Sequence, residues 1–294
     1  MNKKFKCVKC KSIDEVFYVK SYNLKICKHC FLDFFRKRVK EAIEKFNMFS
    51  LNDKVAVAIS GGKDSVALAR VLKDLGYNIT LFHINVGIKK DDYSEKCQKV
   101  VKTLAEQEHL PLKIISLAEE IGVDIKTVSK AMKKEICSVC GMVKRYILNR
   151  EAKDFDVVVT GHNLNDEASL LLKSFMFWQD ESIRRQYPLL AEYGSLKRKA
   201  KPLIFCYESD TKLFCDVLNL PYYSQPCPFR GKSYVVFKKT IQKLEKEMPS
   251  CSLTFYKGFL KRKKIFEEEK LKNVEPCQKC GYLTTTKICA FCRM

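Results

Sequence analysis

Residues 54 to 65 read KVAVAISGGKDS, a short run rich in β-branched residues that breaks into two adjacent glycines and then into a segment of helical periodicity. A strand that stops abruptly and hands over to a helix fits this pattern, because glycine tolerates the tight turn and the close backbone approach that such a junction needs. The unit recurs. NITLFHINV, LKIIS and DVVVT are further short strand-like runs, separated by periodic segments such as 64 to 75 and 92 to 110. Such alternation predicts an α/β fold with a parallel sheet covered by helices on both faces.

Small modules are expected at either end of this domain. Cys7, Cys10, Cys27 and Cys30 are spaced C-x2-C-x16-C-x2-C, and Cys277, Cys280, Cys289 and Cys292 are spaced C-x2-C-x8-C-x2-C. Paired C-x-x-C knuckles match tetrahedral structural zinc sites, and segments so short need the metal for their stability. His29 is an alternative to Cys30 as fourth ligand, and buried cysteines without metal are the plain alternative for both sets. Between the first module and the first strand, Leu32, Phe35, Val39, Ala42, Ile43 and Phe46 recur with the helical period, so residues 31–50 are read as a connecting helix. The expected organisation is a zinc finger at 1–30, the helix at 31–50, the main domain at 51–270 and a second zinc finger at 271–294.

The chain of 294 residues carries 55 Lys+Arg against 34 Asp+Glu, a formal charge of +21. An excess of this size points to a polyanionic partner, with nucleic acid first, since each phosphate neutralised releases a condensed counterion. KRKAK at 197–201 and KRKK at 261–264 are local basic clusters. Such runs are usually solvated, but these add to the overall excess. There is neither an apolar run of membrane-spanning length nor an apolar stretch behind the charged N-terminus, so a cytoplasmic protein is expected, without membrane association. In that reducing compartment the fifteen cysteines are read as metal ligands or reactive thiols.

Ser60, Gly61, Gly62, Lys63, Asp64 and Ser65 form a loop whose free N–H groups at a helix start would face phosphate. The GxxxxGK[ST] spacing is absent, and Gly231-Lys232-Ser233 lacks the first glycine, its place being taken by Pro226. SGGKDS resembles the PP-loop of N-type ATP pyrophosphatases, which adenylate a substrate and hold the released pyrophosphate. His83 closes the second strand, where ligands collect in parallel sheets. It is read equally as a satisfied strand-end histidine or as a neighbour of the adenine. Gly161 follows the fourth strand. Asp166 lies at the next helix start, where it either complements the dipole or meets the phosphate loop.

A helical reading of residues 137 to 148 puts Val139, Met142, Val143, Tyr146 and Ile147 on one apolar stripe, with Cys137, Cys140, Gly141 and Lys144 within an arc of about 100° on the other side. Two thiols and an ammonium therefore face one place, and the cation and helix start favour thiolate. Cys227, flanked by Pro226 and Pro228, is presented from an extended loop, whereas Cys97, Cys206 and Cys215 read as buried small hydrophobes.

SGGKDS, CSVCGMVKR, TGHNLNDEA, KPLIF and LPYYSQPCPF, together with the terminal cysteine pairs, resemble the tRNA 2-thiouridine synthases of the TtuA and cytosolic thiouridylase group over essentially the whole chain. That resemblance implies a Rossmann-like PP-loop ATP pyrophosphatase domain. It implies a 4Fe-4S cluster on Cys137, Cys140 and Cys227 with one iron left open for sulfur, and catalytic weight on Lys144 and Asp166. Asn165 stands where relatives often have a second acid, and it is left out of the site. The implied cofactors are ATP, Mg2+, the cluster and two structural zinc ions. The implied partners are tRNA and a sulfur donor, either a thiocarboxylated ubiquitin-like protein or inorganic sulfide, with a homodimer expected. A persulfide route through the same cysteines is the variant without a cluster. Other adenylating PP-loop tRNA-modifying enzymes and a non-catalytic RNA-binding protein built on zinc knuckles are the competing readings. Phe5, Tyr22 and Phe291 are aromatic residues for packing or base stacking, with packing preferred.

Overall fold

The computed structural model describes residues 5–262 and 274–294. An antiparallel hairpin of β1 (Val16–Val19) and β2 (Leu24–Cys27) runs straight into α1 (Lys28–Lys45). The helix starts at Lys28, ahead of the Phe31 at which its apolar stripe begins, so Cys30 lies in its first turn. Then follow β3 (Val55–Ala58), α2 (Lys63–Asp74), β4 (Ile79–Asn85), α3 (Tyr93–Gln107) and β5 (Leu112–Ser116). Short α4 (Leu117–Ile121) and α5 (Ile125–Met132) precede α6 (Ile136–Glu151), β6 (Val157–Thr160), α7 (Leu164–Met176) and α8 (Asp180–Arg184). After them come β7 (Leu189–Leu190), β8 (Arg198–Ala200), α9 (Glu208–Val217), α10 (Lys232–Glu247), α11 (Cys251–Lys261), β9 (Glu275–Pro276) and β10 (Leu283–Thr284).

The main sheet has the order β5-β4-β3-β6-β8-β7. Val55 of β3 pairs with Ile79 on one side and Val157 on the other, both in parallel register. Every neighbouring pair is parallel except β7 with β8, an antiparallel edge that hydrophobic alternation does not announce because β7 is two residues long. The chain winds outward from β3 to β5 and then returns to the other side of β3 with β6. Between β3 and β6 the strand order reverses, and their carboxyl ends open the crevice where ligands bind in such sheets.

Successive residues of a strand face opposite sides, and here both sides are covered. Val55 and Val57 bury into one cluster with α1, α2, α9 and α11, where Phe35 stacks on Phe214 with ring centroids 4.4 Å apart. Ala56 points into a second cluster with Phe82, Ile84 and Val158, roofed by α5 and α6. The predicted stripe of α6 is found there: Val139, Val143, Tyr146 and Ile147 are buried, while Met142 is partly covered. Phe291 of the C-terminal cysteine module stacks on Tyr146 at 3.9 Å and so docks that module on α6. Among the described residues no helix is long and apolar enough to cross a membrane.

The start of α7 is anchored by a buried ion pair. Lys201 Nζ lies 2.6 Å from Glu167 Oε2 and also donates to the Arg185 carbonyl at 2.8 Å. This corrects the expectation for the basic run at 197–201. Lys197 pairs with Glu192 and Arg198 with Asp53, so three of its cations serve the fold. Lys199 is pushed down to about 8 by burial and then by Arg145 and Arg185. Of the second run, Lys261 and Arg262 end α11, and 263–264 lie outside the described residues.

Replacing Lys201 with Met leaves the Glu167 carboxylate buried and uncompensated, and urea denaturation should show a loss of about 3–5 kcal/mol.

Candidate functional site

Three chain segments converge at the crevice. Gly61 has φ +84°, in the left-handed region, and a β-carbon there would lie 2.8 Å from the Cys97 carbonyl oxygen. From the β6 side, a β-carbon on Gly161 would lie 2.9 Å from backbone atoms of Asp64 and Ser65. The loop between is braced by its own serines. Ser65 Oγ accepts from the Ser60 N–H at 3.1 Å and donates to the Gly62 carbonyl at 2.9 Å, and the two hydroxyls are 3.1 Å apart. Gly62 precedes α2 without any side-chain cap, so the helix start faces the crevice ready for an anion.

Around this loop, acids and cations alternate. Asp64 Oδ1 accepts from Asn163 Nδ2 at 3.0 Å and from Thr211 Oγ1 at 2.5 Å. Lys63 Nζ bridges Asp64 at 3.1 Å and Glu208 at 2.7 Å. Lys238 of α10 bridges Glu208 at 3.1 Å and Asp166 at 2.7 Å, and Tyr234 donates to Asp166 at 2.9 Å. Burial pushes the Asp64 carboxyl up, with Lys63 opposing. Burial acts the same way on Asp166, but Lys238 and then His162 outweigh it and hold that carboxyl below the usual range.

Asp166 also completes a capping box with Asn163 at 3.4 and 3.1 Å, so it complements the α7 start and joins the charged network at once. It reaches the phosphate loop through Asn163 and through the chain of lysines. Asn165, left out of the site by sequence, accepts from the Glu208 N–H at 2.9 Å and positions the start of α9.

His83 is buried at the end of β4. Its Nδ1 donates to the Ile59 carbonyl at 3.0 Å, and Nε2 has no partner among the described residues. Burial, with Lys144 adding, lowers its pKa to about 4. The imidazole is therefore neutral at pH 7, with one nitrogen satisfied and the other an open acceptor.

The Lys144 ammonium helps to lower the His83 pKa and opposes the rise of the Cys140 thiol. Cys137 and Cys140 sit in the first turns of α6, as the helical reading requires. Cys227 and Phe229 pack on the same cluster as Cys140, and Cys137 Sγ lies 3.8 Å from where a β-carbon of Gly231 would be. Burial raises the Cys140 thiol, Lys144 opposes this, and Cys227 and Cys137 raise it further. The loop bearing Cys227 is tied to the phosphate loop by the Tyr223 N–H, which donates to the Gly61 carbonyl at 2.8 Å. Cys97 is buried as expected, yet it neighbours Cys227, Lys144 and Tyr93. Its position beside Gly61 gives it a place at this site that its sequence context does not reveal.

Both terminal cysteine sets draw together, with all four sulfurs of each within 4.8 Å of one another. His29 is exposed and outside the first set, so Cys30 is the fourth member. Backbone N–H groups favour thiolate at one cysteine of each set. Cys7 is lowered to about 6 against the effect of its burial, and Cys277 to about 6, with the Cys289 N–H the largest cause. The central trio does not share this compactness. Sulfurs around a single zinc ion lie about 2.3 Å from it, so the wider trio suits a larger group than one ion. Of the three aromatics, Phe291 packs on Tyr146, and Tyr22 packs on Phe34 and Tyr207 while donating to Asp210 at 2.7 Å. Phe5 is partly exposed beneath the Lys25 ammonium.

Glu208, Thr211, Tyr234 and Lys238 were not singled out by sequence. The only signal for the last two was their spacing of four on one helix, which puts them on a common face. In a segment with as many lysines as KSYVVFKKTIQKLEKE, that signal does not separate Lys238 from its neighbours.

A family model described as a PP-loop domain matches residues 33–184. The tRNA-5-methyluridine(54) 2-sulfurtransferase of Thermotoga maritima is 43% identical, over 98% of this chain and 95% of that protein. The cytoplasmic tRNA 2-thiolation protein 1 of Candida glabrata is 32% identical, over 92% of this chain and 80% of that protein. Among solved structures, the U34-tRNA thiolase NcsA from Methanococcus maripaludis with its [4Fe-4S] cluster has the same fold, with a TM-score of 0.83 and 24% identity over 100% of this chain and 96% of that one.

Gly161→Ala forces apart the backbones that meet at the phosphate loop, and isothermal titration should show ATP binding weakened about tenfold or more. The urea midpoint should fall as well, because the atoms the methyl group meets are backbone.

Proposed function

We infer that this chain, which belongs to the PP-loop family whose curated relatives are tRNA 2-thiolation sulfurtransferases, is an ATP-dependent tRNA sulfurtransferase that converts a uridine to 2-thiouridine. The observation that carries this reading is the tie between the phosphate loop and the loop bearing Cys227, in which the Tyr223 N–H donates to the Gly61 carbonyl at 2.8 Å. Uracil's C2 oxygen is a poor leaving group. It attacks the α-phosphorus of ATP, pyrophosphate departs, and the C2 oxygen becomes part of an AMP leaving group. Hydrosulfide then adds to C2, the C2–O bond breaks, and AMP leaves.

Ser60, Gly61, Gly62, Asp64 and Ser65 orient the triphosphate, and Lys63 adds positive charge there. The unpaired Nε2 of neutral His83 offers an acceptor to the adenine amino group, and Gly161 leaves room for the Asp64 and Ser65 backbone of the loop. Asp166 orients substrate in its ionised form. Lys144 stabilises the negative charge that develops at C2 as sulfur adds. Three thiols and a cation without a fourth compact ligand suit an iron–sulfur cluster, and Cys137, Cys140 and Cys227 would hold it. When bound, such a cluster supplies a coordination position at which hydrosulfide is activated. The four-thiol terminal sets suit zinc. Mg2+ accompanies ATP, and the sulfur donor is a thiocarboxylated ubiquitin-like protein or inorganic sulfide. We further propose a cytoplasmic homodimer, with the uridine at position 54 as its target, in keeping with the name of the Thermotoga relative.

The reading is tested by mass spectrometry of nucleosides from tRNA incubated anaerobically with reconstituted protein, ATP and sulfide. 2-Thiouridine or its 5-methyl derivative is expected, mapped to position 54. The Cys227→Ala protein should form none while binding ATP as wild type does. Thiolation that persists in Cys227→Ala would sink the assignment of the trio, and thiolation by iron-free protein would sink the cluster. Metal analysis should find two zinc ions per chain, and stripping them with a chelator should lower the melting temperature.

A further inference from the structure

The phosphate-loop crevice presents a physical difficulty. It must admit a polyanion, yet Asp64, Asp166 and Glu208 all gather around it. Two ammonium groups offset these three carboxylates: Lys63 from the loop itself and Lys238 from α10. Lys238 has 10% of its side chain exposed, equal to the 10% of Asp166 and less than the 24% of Glu208. Like Glu208, it lies outside every motif of the sequence. We propose that Lys238 is a positioning residue for ATP: shared between Asp166 and Glu208, it holds both carboxylates in place and cancels enough of their charge for a triphosphate to enter beside them. This role rests on the adenylating function inferred above and names the residue that makes the nucleotide half of the site work.

The geometry argues against a merely decorative ion pair. Lys238 spans the starts of α7 and α9, two elements that frame the loop from different sides. Glu208, held by Lys238, in turn holds Lys63 at 2.7 Å, so the α10 ammonium sets where the loop lysine points. Without Lys238 the crevice carries one more uncompensated negative charge in a site shielded from solvent, where repulsion of phosphate is strongest. Lys63 would then be drawn more firmly onto Glu208 and away from the nucleotide.

The test uses the full chain with Lys238→Gln, Lys238→Met and Lys238→Arg. Gln keeps a hydrogen-bond donor to Asp166 but removes the charge, and so survives if Met does not fold. Equilibrium binding of MgATP should weaken about tenfold or more in Lys238→Gln and recover to within about threefold of wild type in Lys238→Arg. This measurement needs no tRNA, so it judges Lys238 even if thiolation fails. Absence of tRNA-dependent pyrophosphate release from the wild type would instead count against the function inferred above.

A second readout is the pH profile of pyrophosphate release. Asp166 is faced by Lys238 and Tyr234 of α10, Glu208 of α9, Asp64 of α2 and His162 just ahead of α7. Removing the ammonium moves the protonation of Asp166 to higher pH. As pH falls, the Lys238→Gln protein should therefore lose activity about one unit earlier than wild type. His162 is common to both proteins, so the difference reports the two carboxylates that Lys238 faces, Asp166 and Glu208. ATP affinity and an acid limb unchanged in Lys238→Gln would overturn the proposal and leave Lys238 as a structural tie between α10 and α7.

Discussion

Two backbones meet at the carboxyl edge of the sheet with no room between them for a β-carbon. The turn after β6 passes so close to Asp64 and Ser65 that only glycine fits at position 161, and Gly61 is pressed equally hard against Cys97 from the other side. This contact follows from β3 and β6 being direct neighbours in parallel register, which sends both their loops out of the same edge. Much else takes its place from it. Asn163 reaches Asp64 across the seam, the capping box of α7 begins there, and the Cys227 loop is tied down on the Gly61 carbonyl.

The two halves of the site have opposite electrostatics. On the nucleotide side, buried acids are linked through shared lysines into an alternating chain from Asp64 to Asp166, so that charge is nearly balanced before any ligand arrives. On the sulfur side, burial and the neighbouring Cys227 and Cys137 hold the Cys140 thiol up, with Lys144 and Arg145 opposing. A thiol so placed becomes a good ligand once a metal takes the place of its proton. The cations of the run at 197–201 mostly pair with acids of the fold.

Local signals were legible where one residue's requirement is set by its neighbours along the chain. The β-branched runs became β3 to β6, and the stripe of α6 buried the residues its period selected. The terminal cysteines drew together in the sets their spacing implied. Edge strand β7 was not legible, since two residues have no period. The partners of 197–201 were not legible either, because a lysine that will be buried by a distant glutamate looks the same in sequence as one that will face water. Lys238 is the clearest case. Its two carboxylates are 72 and 30 positions away along the chain, and only the packing of α10 against α7 and α9 brings them together.

By itself the sequence determined the kinds of chemistry present: a glycine loop after a strand, thiols in pairs, and a lysine beside two of them. Those are properties of short stretches, governed by backbone freedom, helical period and ligand spacing. The tertiary structure decided which of these stretches share a site. Strand order set the phosphate loop beside Gly161, a proline-flanked loop returned Cys227 to Cys140, and a late helix delivered Lys238 to Asp166. The reason is physical: contacts across the chain are settled by burial and charge compensation in three dimensions, and neither leaves a periodic trace in one.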